Sequence, residues 1–405
     1  MPLSITKALD LIYAKTPVIS SELLPIEMAL GRILSEACVA TFNLPRFDNS
    51  AMDGYAVKST DAGKTVRCVD VIYAGDDPQM TLKDGEAIKI MTGAPIPKGC
   101  EAIIPIENVI LKEDKVTLPT DISLGVNVRR TGEDIQRGTV YLQKGDKVTA
   151  YAIALLASQG ITHLLVRRQI KVAVFGTGNE LRPHFEKIES HQLYNSNTPM
   201  FLARAKELGC EVEYIGSSDD TLEALTEAIK AAKNADIIIT SGGVSMGDKD
   251  FTKEAFSRLG MQIHFDKVDI KPGKPTVFGT LGDTVVINLP GNPLASMVNY
   301  ELFVRAAIRK MSGMNAFYHG AFETKMKKDF ALKSGKYTVR LGKFDGKTFE
   351  PFTKQLPGML SPLEEADAMI IADPSVEKLT QGAIVKILPI KWELTSEEKE
   401  AIFTL

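Results

Sequence analysis

Cysteine and histidine are scarce in this chain. Four cysteines (Cys38, Cys68, Cys100, Cys210) are spread over 405 residues with no C-x-x-C pair. That spacing excludes a disulfide framework and a cysteine-built zinc site, and it suits a reduced cytosolic protein. The five histidines are scattered without H-x-x-x-H spacing, so each reads as a structural or surface residue rather than a metal ligand. Long hydrophobic runs are also missing. The longest, A-Y-A-I-A-L-L-A at 150–157, is too short to span a bilayer, and Lys7 and Asp10 interrupt the N-terminal apolar residues where a signal peptide needs a continuous core. Nor does one sign of charge prevail. Lys and Arg total 48 against 51 Asp and Glu, a net charge of −3. No global basic field argues for nucleic acid, although a local basic pocket for a small anion is compatible with this balance. Repeats and low-complexity tracts are absent. The remainder, 44% hydrophobic and 24% charged, is ordinary globular composition; the length suggests two to four domains, and the expectation is a cytoplasmic protein with no membrane or nucleic-acid partner.

The texture changes along the chain. Residues 1–40 and 133–167 read as helical: Ile5, Ala8, Leu9 and Ile12 fall on one helical face, and "AYAIALLASQG" ends at Gly160. Between them, residues 41–132 carry short β-rich runs ("YAVKST", "AIKIM", "KVTLP") separated by Gly, Pro and Asp turns. The pattern predicts one discontinuous helical domain carrying a β-rich inserted domain. From 168 to 318, apolar strands ("IKVAVF", "VEYIG", "DIIIT", "TVVIN") alternate with helical segments, among them "TPMFLARAKELG", with Thr198 expected as N-cap. That alternation implies an open, mainly parallel α/β sheet, whose ligands sit at the carboxyl ends of the strands. Residues 319–405 show period-two alternation, as in "KYTVRLG" and "AIVKILPI", and predict a small β-barrel-like domain. The expected fold class is therefore multidomain α/β and β.

Three strand-end loops of the α/β segment carry chemistry. "GTGNEL" (176–181) begins like a dinucleotide fingerprint, but Glu180 and Leu181 stand where the third glycine belongs, which argues against a nicotinamide or flavin site. A tight turn explains it, and so does a carboxylate placed for a cation. "SGGVSMGDKD" (241–250) packs three glycines, two aspartates and a lysine into ten residues. Glycines allow backbone N–H groups close to an anion, and Asp248 and Asp250 beside such a site call for a bridging cation such as Mg²⁺. Asp250 is equally suited to cap the next helix. "LPGNP" (289–293) is a rigid turn, and just before it Lys267, Lys271 and Lys274 cluster in "KVDIKPGKP" without P-loop spacing. Alone, the lysines read as a solvated face; beside two other loaded loops they suit an oxyanion clamp. In the β-rich segment, "LPRFDNSAMDGYAV" crowds Asp48, Asn49, Ser50 and Asp53, while "MTGAPIP" and "RRTGEDI" add Thr92, Arg129, Arg130 and Asp134.

Taken in order, "FDNSAMDGYAV", "MTGAPIP", "RRTGEDI", "SGGVSMGDKDF", "KPGKP" and "LPGNP" resemble the molybdopterin molybdenumtransferase (MoeA) family, which includes the E domains of gephyrin and plant Cnx proteins. The resemblance covers essentially the whole chain and is weakest in 319–405. It implies the last step of molybdenum-cofactor assembly: adenylylated molybdopterin and molybdate become cofactor and AMP, with Mg²⁺. It also implies a homodimer in which the α/β domain of one subunit faces the 41–132 domain of the other, and transient partners in a molybdopterin adenylyltransferase and the molybdoenzymes. By motif, Glu180, Asp219 and Asp250 match the family's acidic, metal-binding residues, and Lys267 and Lys271 its basic pair. Lys271, Lys274, Ser296 and Arg340 match a molybdate pocket. Asp53, Thr92, Arg129 and Asp134 match residues facing the cleft. Ser241, Gly242, Gly243 and Ser245, with Pro290, Gly291, Asn292 and Pro293, would cradle the pterin nucleotide. The chemistry is coherent: cations and N–H groups suit a tetrahedral dianion, and the pterin dithiolene supplies the soft sulfur ligands, so no cysteine is required. Two other readings keep the same resemblance: a non-catalytic scaffold, and the adenylyltransferase, which would not need the 41–132 or C-terminal β domains.

Overall fold

A computed structural model describes residues 2–243 and 251–391. The chain forms two compact units. The smaller comprises 23–30 and 36–164; the larger comprises the residues up to 22, 31–35 and those from 165 onward.

The smaller unit is built on a six-stranded mixed sheet in the order Ala102–Pro105, Gly54–Val57, Glu86–Ile90, Thr65–Ile72, Lys115–Thr117, Ile110–Lys112. Side chains alternate across it, as the two-residue period of a strand requires. Tyr55, Val57, Ala102 and Ile104 pack on one face; Ala56, Ile88, Ile90 and Ile103 pack on the other. Both faces are covered, which is why these strands read as apolar runs broken by turns.

In the larger unit a second six-stranded sheet runs in the order Glu211–Ser218, Lys171–Thr177, Ile237–Ser241, Thr284–Leu289, Pro275–Leu281, Gln262–Lys267. The first four strands are parallel, and only Pro275–Leu281 runs against the rest. The mainly parallel expectation therefore holds. From Lys171–Thr177 the chain steps first to one neighbour and later to the other, so the strand order reverses beside that strand. Such a reversal opens a crevice at the carboxyl ends. The last layer is a small closed barrel. Tyr337–Phe344, Thr348–Pro351, Phe322–Met326, Ile384–Pro389 and Ala368–Ala372 follow one another, and pairing of Tyr337–Phe344 with Ala368–Ala372 closes the ring. Closure removes the free edges that a sheet of this size otherwise exposes.

Helical content is smaller than expected. In 1–40 only Ile5–Lys15 is α-helical, and the chain then turns into strand Ser21–Pro25; in 133–167 only Ala150–Ser158 is helical, capped by the Thr149 hydroxyl on Ala152 N–H. The helix Ile5–Lys15 does present the predicted face, with Ile5, Ala8 and Ile12 buried. That face joins the core of the larger unit beside Ile308 and Met311, so the two helices belong to different units. The helix Asn197–Glu207 also begins earlier than expected. Ser196 takes the N-cap position, and Thr198 is wholly buried, bracketed by Asn195: its N–H donates to Asn195 Oδ1 at 3.1 Å, and its hydroxyl accepts from Asn195 Nδ2 at 2.9 Å.

Candidate functional site

In the larger unit the strand register gathers the loaded loops at one edge of the sheet. Four parallel strands end at Thr177, Ser218, Ser241 and Leu289. Lys267 ends a strand running the same way, and Lys271–Lys274 leads into the strand that returns. Because Val277 lies opposite Asn288, Pro275 stands level with Pro290.

The glycine loop lies tightly against its neighbours. Gly242 has φ +97 and Gly243 φ +64, the left-handed region that favours glycine. A Cβ on Gly242 would meet the Thr177 carbonyl oxygen at 2.4 Å; one on Gly243 would meet Thr252 Oγ1 at 2.1 Å and Thr177 Oγ1 at 3.0 Å. Any side chain would therefore push the loop off the strand end. The Gly242 N–H donates to Leu289 O at 3.1 Å, so it ties this loop to "LPGNP" instead of facing a ligand. The Thr177 and Thr252 hydroxyls beside Gly243 are buried and have no partner among the described residues. Ser245 and Asp250, both expected here, lie outside the described residues.

Asn197, absent from the sequence reading, joins the same two loops. Its Nδ2 donates to Ser241 Oγ at 2.8 Å and to Gly291 O at 2.7 Å. The only hint in the sequence is the polar string "YNSNTP", which reads as a helix start. Within "LPGNP", Pro290 is buried, Gly291 and Asn292 are exposed, and Pro293 opens the helix Pro293–Asn299. Ser296 is fully buried, and its hydroxyl donates to Pro290 O. In this structure that hydroxyl fixes the turn.

Glu180 and Asp219 stand exposed on neighbouring loops, which Asp220 N–H links by donating to Asn179 Oδ1 at 3.1 Å. Asp219 does not cap the next helix, because Thr221 does so with its hydroxyl on Ala224 N–H. No described side chain pairs with either carboxylate. Exposed oxygen donors are the type a hard cation takes. Among the described residues no three His, Cys, Asp or Glu gather about one point, and the third expected ligand is Asp250.

Lys271 is exposed, while Lys267 and Lys274 are half-buried. No described carboxylate forms an ion pair with any of the three. Arg340 lies on the barrel strand Tyr337–Phe344, its guanidinium carbon 5.6 Å from the Phe330 ring centroid. Its register partner Ile370 belongs to the barrel core, and Lys271 pairs with Thr338, two residues earlier on the same strand. Burial depresses the Arg340 pKa, and its Nε has no partner among the described residues.

In the smaller unit Asp53 and Thr92 come together. The Thr92 N–H and hydroxyl both donate to Asp53 Oδ1, at 2.7 and 2.8 Å. Those two bonds, the backbone one first, hold the exposed Asp53 carboxyl below its ordinary pKa. Asp48 is matched differently: Thr131 N–H and hydroxyl donate to Oδ1, and Arg130 Nη1 reaches Oδ2 at 2.7 Å. Thr131 N–H leads the causes that lower its pKa. Arg129 is exposed on a two-residue strand opposite Asn49, and Asp134 is exposed with its N–H on Leu44 O.

Comparisons with known proteins agree with this arrangement. The model of the MoeA N-terminal region (domains I and II) matches residues 3–160, and that of a probable molybdopterin-binding domain matches 173–310. A molybdopterin molybdenumtransferase of Staphylococcus epidermidis is 33% identical over 416 aligned residues, covering 99% of this chain and 98% of the relative. One from Haemophilus influenzae is 39% identical over 297, covering 72% and 73%. The crystal structure of a molybdopterin biosynthesis moeA protein from Pyrococcus horikoshii OT3 superposes with a TM-score of 0.84 at 27% identity, covering 96% of this chain and all of that one. With relatives alike over nearly its whole length, the same fold and the loaded loops at one sheet edge, the chain belongs to the molybdopterin molybdenumtransferase family.

Proposed function

We propose that this chain inserts molybdenum from molybdate into adenylylated molybdopterin, with Mg²⁺-dependent release of AMP. The observation that carries the reading is the convergence of "GTGNEL", "SGG", "LPGNP" and "KPGKP" at one carboxyl edge, with Asn197 Nδ2 bridging Ser241 and Gly291. Lys271 and Lys274, with no described carboxylate paired to them, draw the molybdate dianion electrostatically. Ser241, Gly242, Gly243 and the 290–293 turn shape the wall against which the pterin nucleotide lies. Asp53, kept ionised by Thr92, is an acceptor for a substrate hydroxyl or N–H. Glu180, Asp219 and Asp250 would hold Mg²⁺, which supplies positive charge to a phosphoanhydride under attack. No described helix is long and apolar enough to cross a membrane, and we read the protein as cytoplasmic. We also read it as a homodimer of four-domain subunits, with a molybdopterin adenylyltransferase and molybdoenzymes as transient partners. Incubation with adenylylated molybdopterin, Mg²⁺ and molybdate tests the reading: AMP should appear only when all three are present. AMP release indifferent to molybdate would overturn it.

A further inference from the structure

The lysine loop hangs on one buried side chain. Asn299, where the helix Pro293–Asn299 passes directly into the helical turn Tyr300–Val304, is fully buried. Its Nδ2 donates to Gly273 O at 2.8 Å and to Thr276 Oγ1 at 2.5 Å, and the Thr276 hydroxyl in turn donates to Gly273 O at 3.0 Å. Gly273 therefore has its carbonyl held twice, by a helix side chain and by the strand that follows the loop. Its φ is +107, and a Cβ there would lie 2.5 Å from Asn299 Nδ2. The approach is so close that only glycine fits it. Gly273 sits between Lys271 and Lys274, and Val268 N–H, donating to Lys274 O at 3.0 Å, closes the loop on its other side. One turn earlier on the same helix, Ser296 donates to Pro290 O. A single rigid segment thus anchors both the turn expected to meet the pterin nucleotide and the lysine loop.

We infer that Asn299 is a positioning residue for the oxyanion: through Gly273 and Thr276 it sets the separation and aim of Lys271 and Lys274. The inference rests on the proposed function, in which those lysines bind molybdate. Two features separate this role from simple packing. A packing residue there would be apolar, whereas Asn299 leaves its own Oδ1 buried without a partner among the described residues while both its donor bonds go to the loop and the residue after it. An unmatched buried acceptor is costly, so the donor side must carry the function of the residue. In addition, the loop is held by its backbone, which leaves both ammonium groups without an ion-pair partner among the described residues.

The test is steady-state AMP release by the full-length protein, with molybdate and adenylylated molybdopterin titrated separately. The variants compared are Asn299→Ala, Asn299→Thr, Gly273→Ala, the Asn299→Ala/Gly273→Ala double and Lys271→Ala. Asn299→Ala should raise the molybdate KM roughly tenfold, the worth of about one lost buried hydrogen bond, with the pterin-nucleotide KM and kcat at saturating molybdate within about twofold of wild type. Gly273→Ala, which drives a methyl into Asn299, should give the same split. Combining it with Asn299→Ala should add little, because both act through one contact. Asn299→Thr, which keeps a short donor, should recover part of the loss. Thermal unfolding is measured alongside. A lower Tm with both KM values unchanged, or both KM values raised together, overturns the inference and leaves Asn299 a structural residue. If Lys271→Ala also leaves the molybdate KM unchanged, the oxyanion reading itself fails; if only Lys271→Ala shifts it, that reading stands and the positioning role of Asn299 is wrong.

Discussion

Two basic patches, one in each unit, differ in what stands beside them. In the smaller unit Arg130 is locked to Asp48 at 2.7 Å, and Thr131 adds two further donors to the same carboxylate. In the larger unit Lys271 and Lys274 flank a buried brace and have no described counter-ion. The two patches differ in available charge, since a guanidinium already matched by a carboxylate has little left for an arriving dianion. A third cluster shows the opposite extreme. Glu301 is 1% exposed and lies between Arg204, at 2.6 Å, and Arg305, at 2.7 Å, with the arginines reaching the carbonyls of Ile390 and Pro389. There, ionic pairing joins a helix of the α/β layer to the strand leading out of the barrel. Pairing thus marks scaffolding in this protein, and charge with no partner among the described residues marks the candidate site at the sheet edge.

The largest effect should come from breaking the buried cluster. Glu301→Ala leaves two arginines without their carboxylate and should cost about 3–5 kcal/mol of stability, read as a lower denaturation midpoint. A loss below about 1 kcal/mol would mean that pairing there carries no structural weight. Next is the acid response of His319. Burial is the main cause that brings its pKa down to about 4, with Arg305 and Arg309 also opposing its charge. Its Nε2 contacts Leu302 O at 2.7 Å. Below the ordinary histidine value of 6.5 the unfolded chain takes up a proton that the folded ring refuses. Stability should therefore fall as pH drops from 6.5 toward 4, by about 3 kcal/mol in total, at roughly 1.4 per unit. In His319→Gln that slope should be shallower; an unchanged slope would assign it to other groups.

The comparison of the two patches is tested most directly by Lys271→Ala against Arg130→Ala. Losing a charge-assisted contact of about 1.5–3 kcal/mol should raise the molybdate KM at least tenfold in the first. The second should leave it nearly unchanged. The reverse order would move the oxyanion to the smaller unit. Sulfate, sharing charge and tetrahedral shape with molybdate, should compete in the wild type and more weakly in Lys271→Ala. The smallest effect belongs to Asp48→Asn: the pair is partly exposed, so the unfolding free energy at neutral pH should change by less than about 1 kcal/mol. Because the Asp48 carboxyl is held below its ordinary range, that difference should vanish as pH falls through its folded pKa.

Much of the architecture was legible because burial on two faces leaves a strong mark. "IKVAVF", "DIIIT" and "TVVIN" became the central parallel strands, and "YAVKST", "AIKIM" and "KVTLP" supplied strands Gly54–Val57, Glu86–Ile90 and Lys115–Thr117 of the smaller unit. The helical reading of 1–40 overreached, since one amphipathic turn pattern from Ile5 to Ile12 does not extend past Lys15. Thr198 was mistaken for a cap because the Asn195 bracket depends on both partners being buried. The loops of the site announced themselves through Gly, Pro and charge. Their braces did not. Asn197 and Asn299 are single polar residues, one at a helix start and one inside a continuous helical run, and nothing in the sequence marks the distant groups their side chains reach.

Local chemistry in the chain dictated the strand periodicity, the glycine turns and the supply of lysines and carboxylates. These follow from backbone sterics and from which side chains tolerate water, and both are properties of short segments. The pairing of charges was settled only in three dimensions. Asp48 meets Arg130 across 82 positions, Arg204 meets Glu301 across 97, and Asn299 reaches Gly273 across 26. Whether a cation is neutralised or left free depends on which distant group the packing brings within about 3 Å, since electrostatic and hydrogen-bond energies fall off over that distance while sequence separation has no bearing on them.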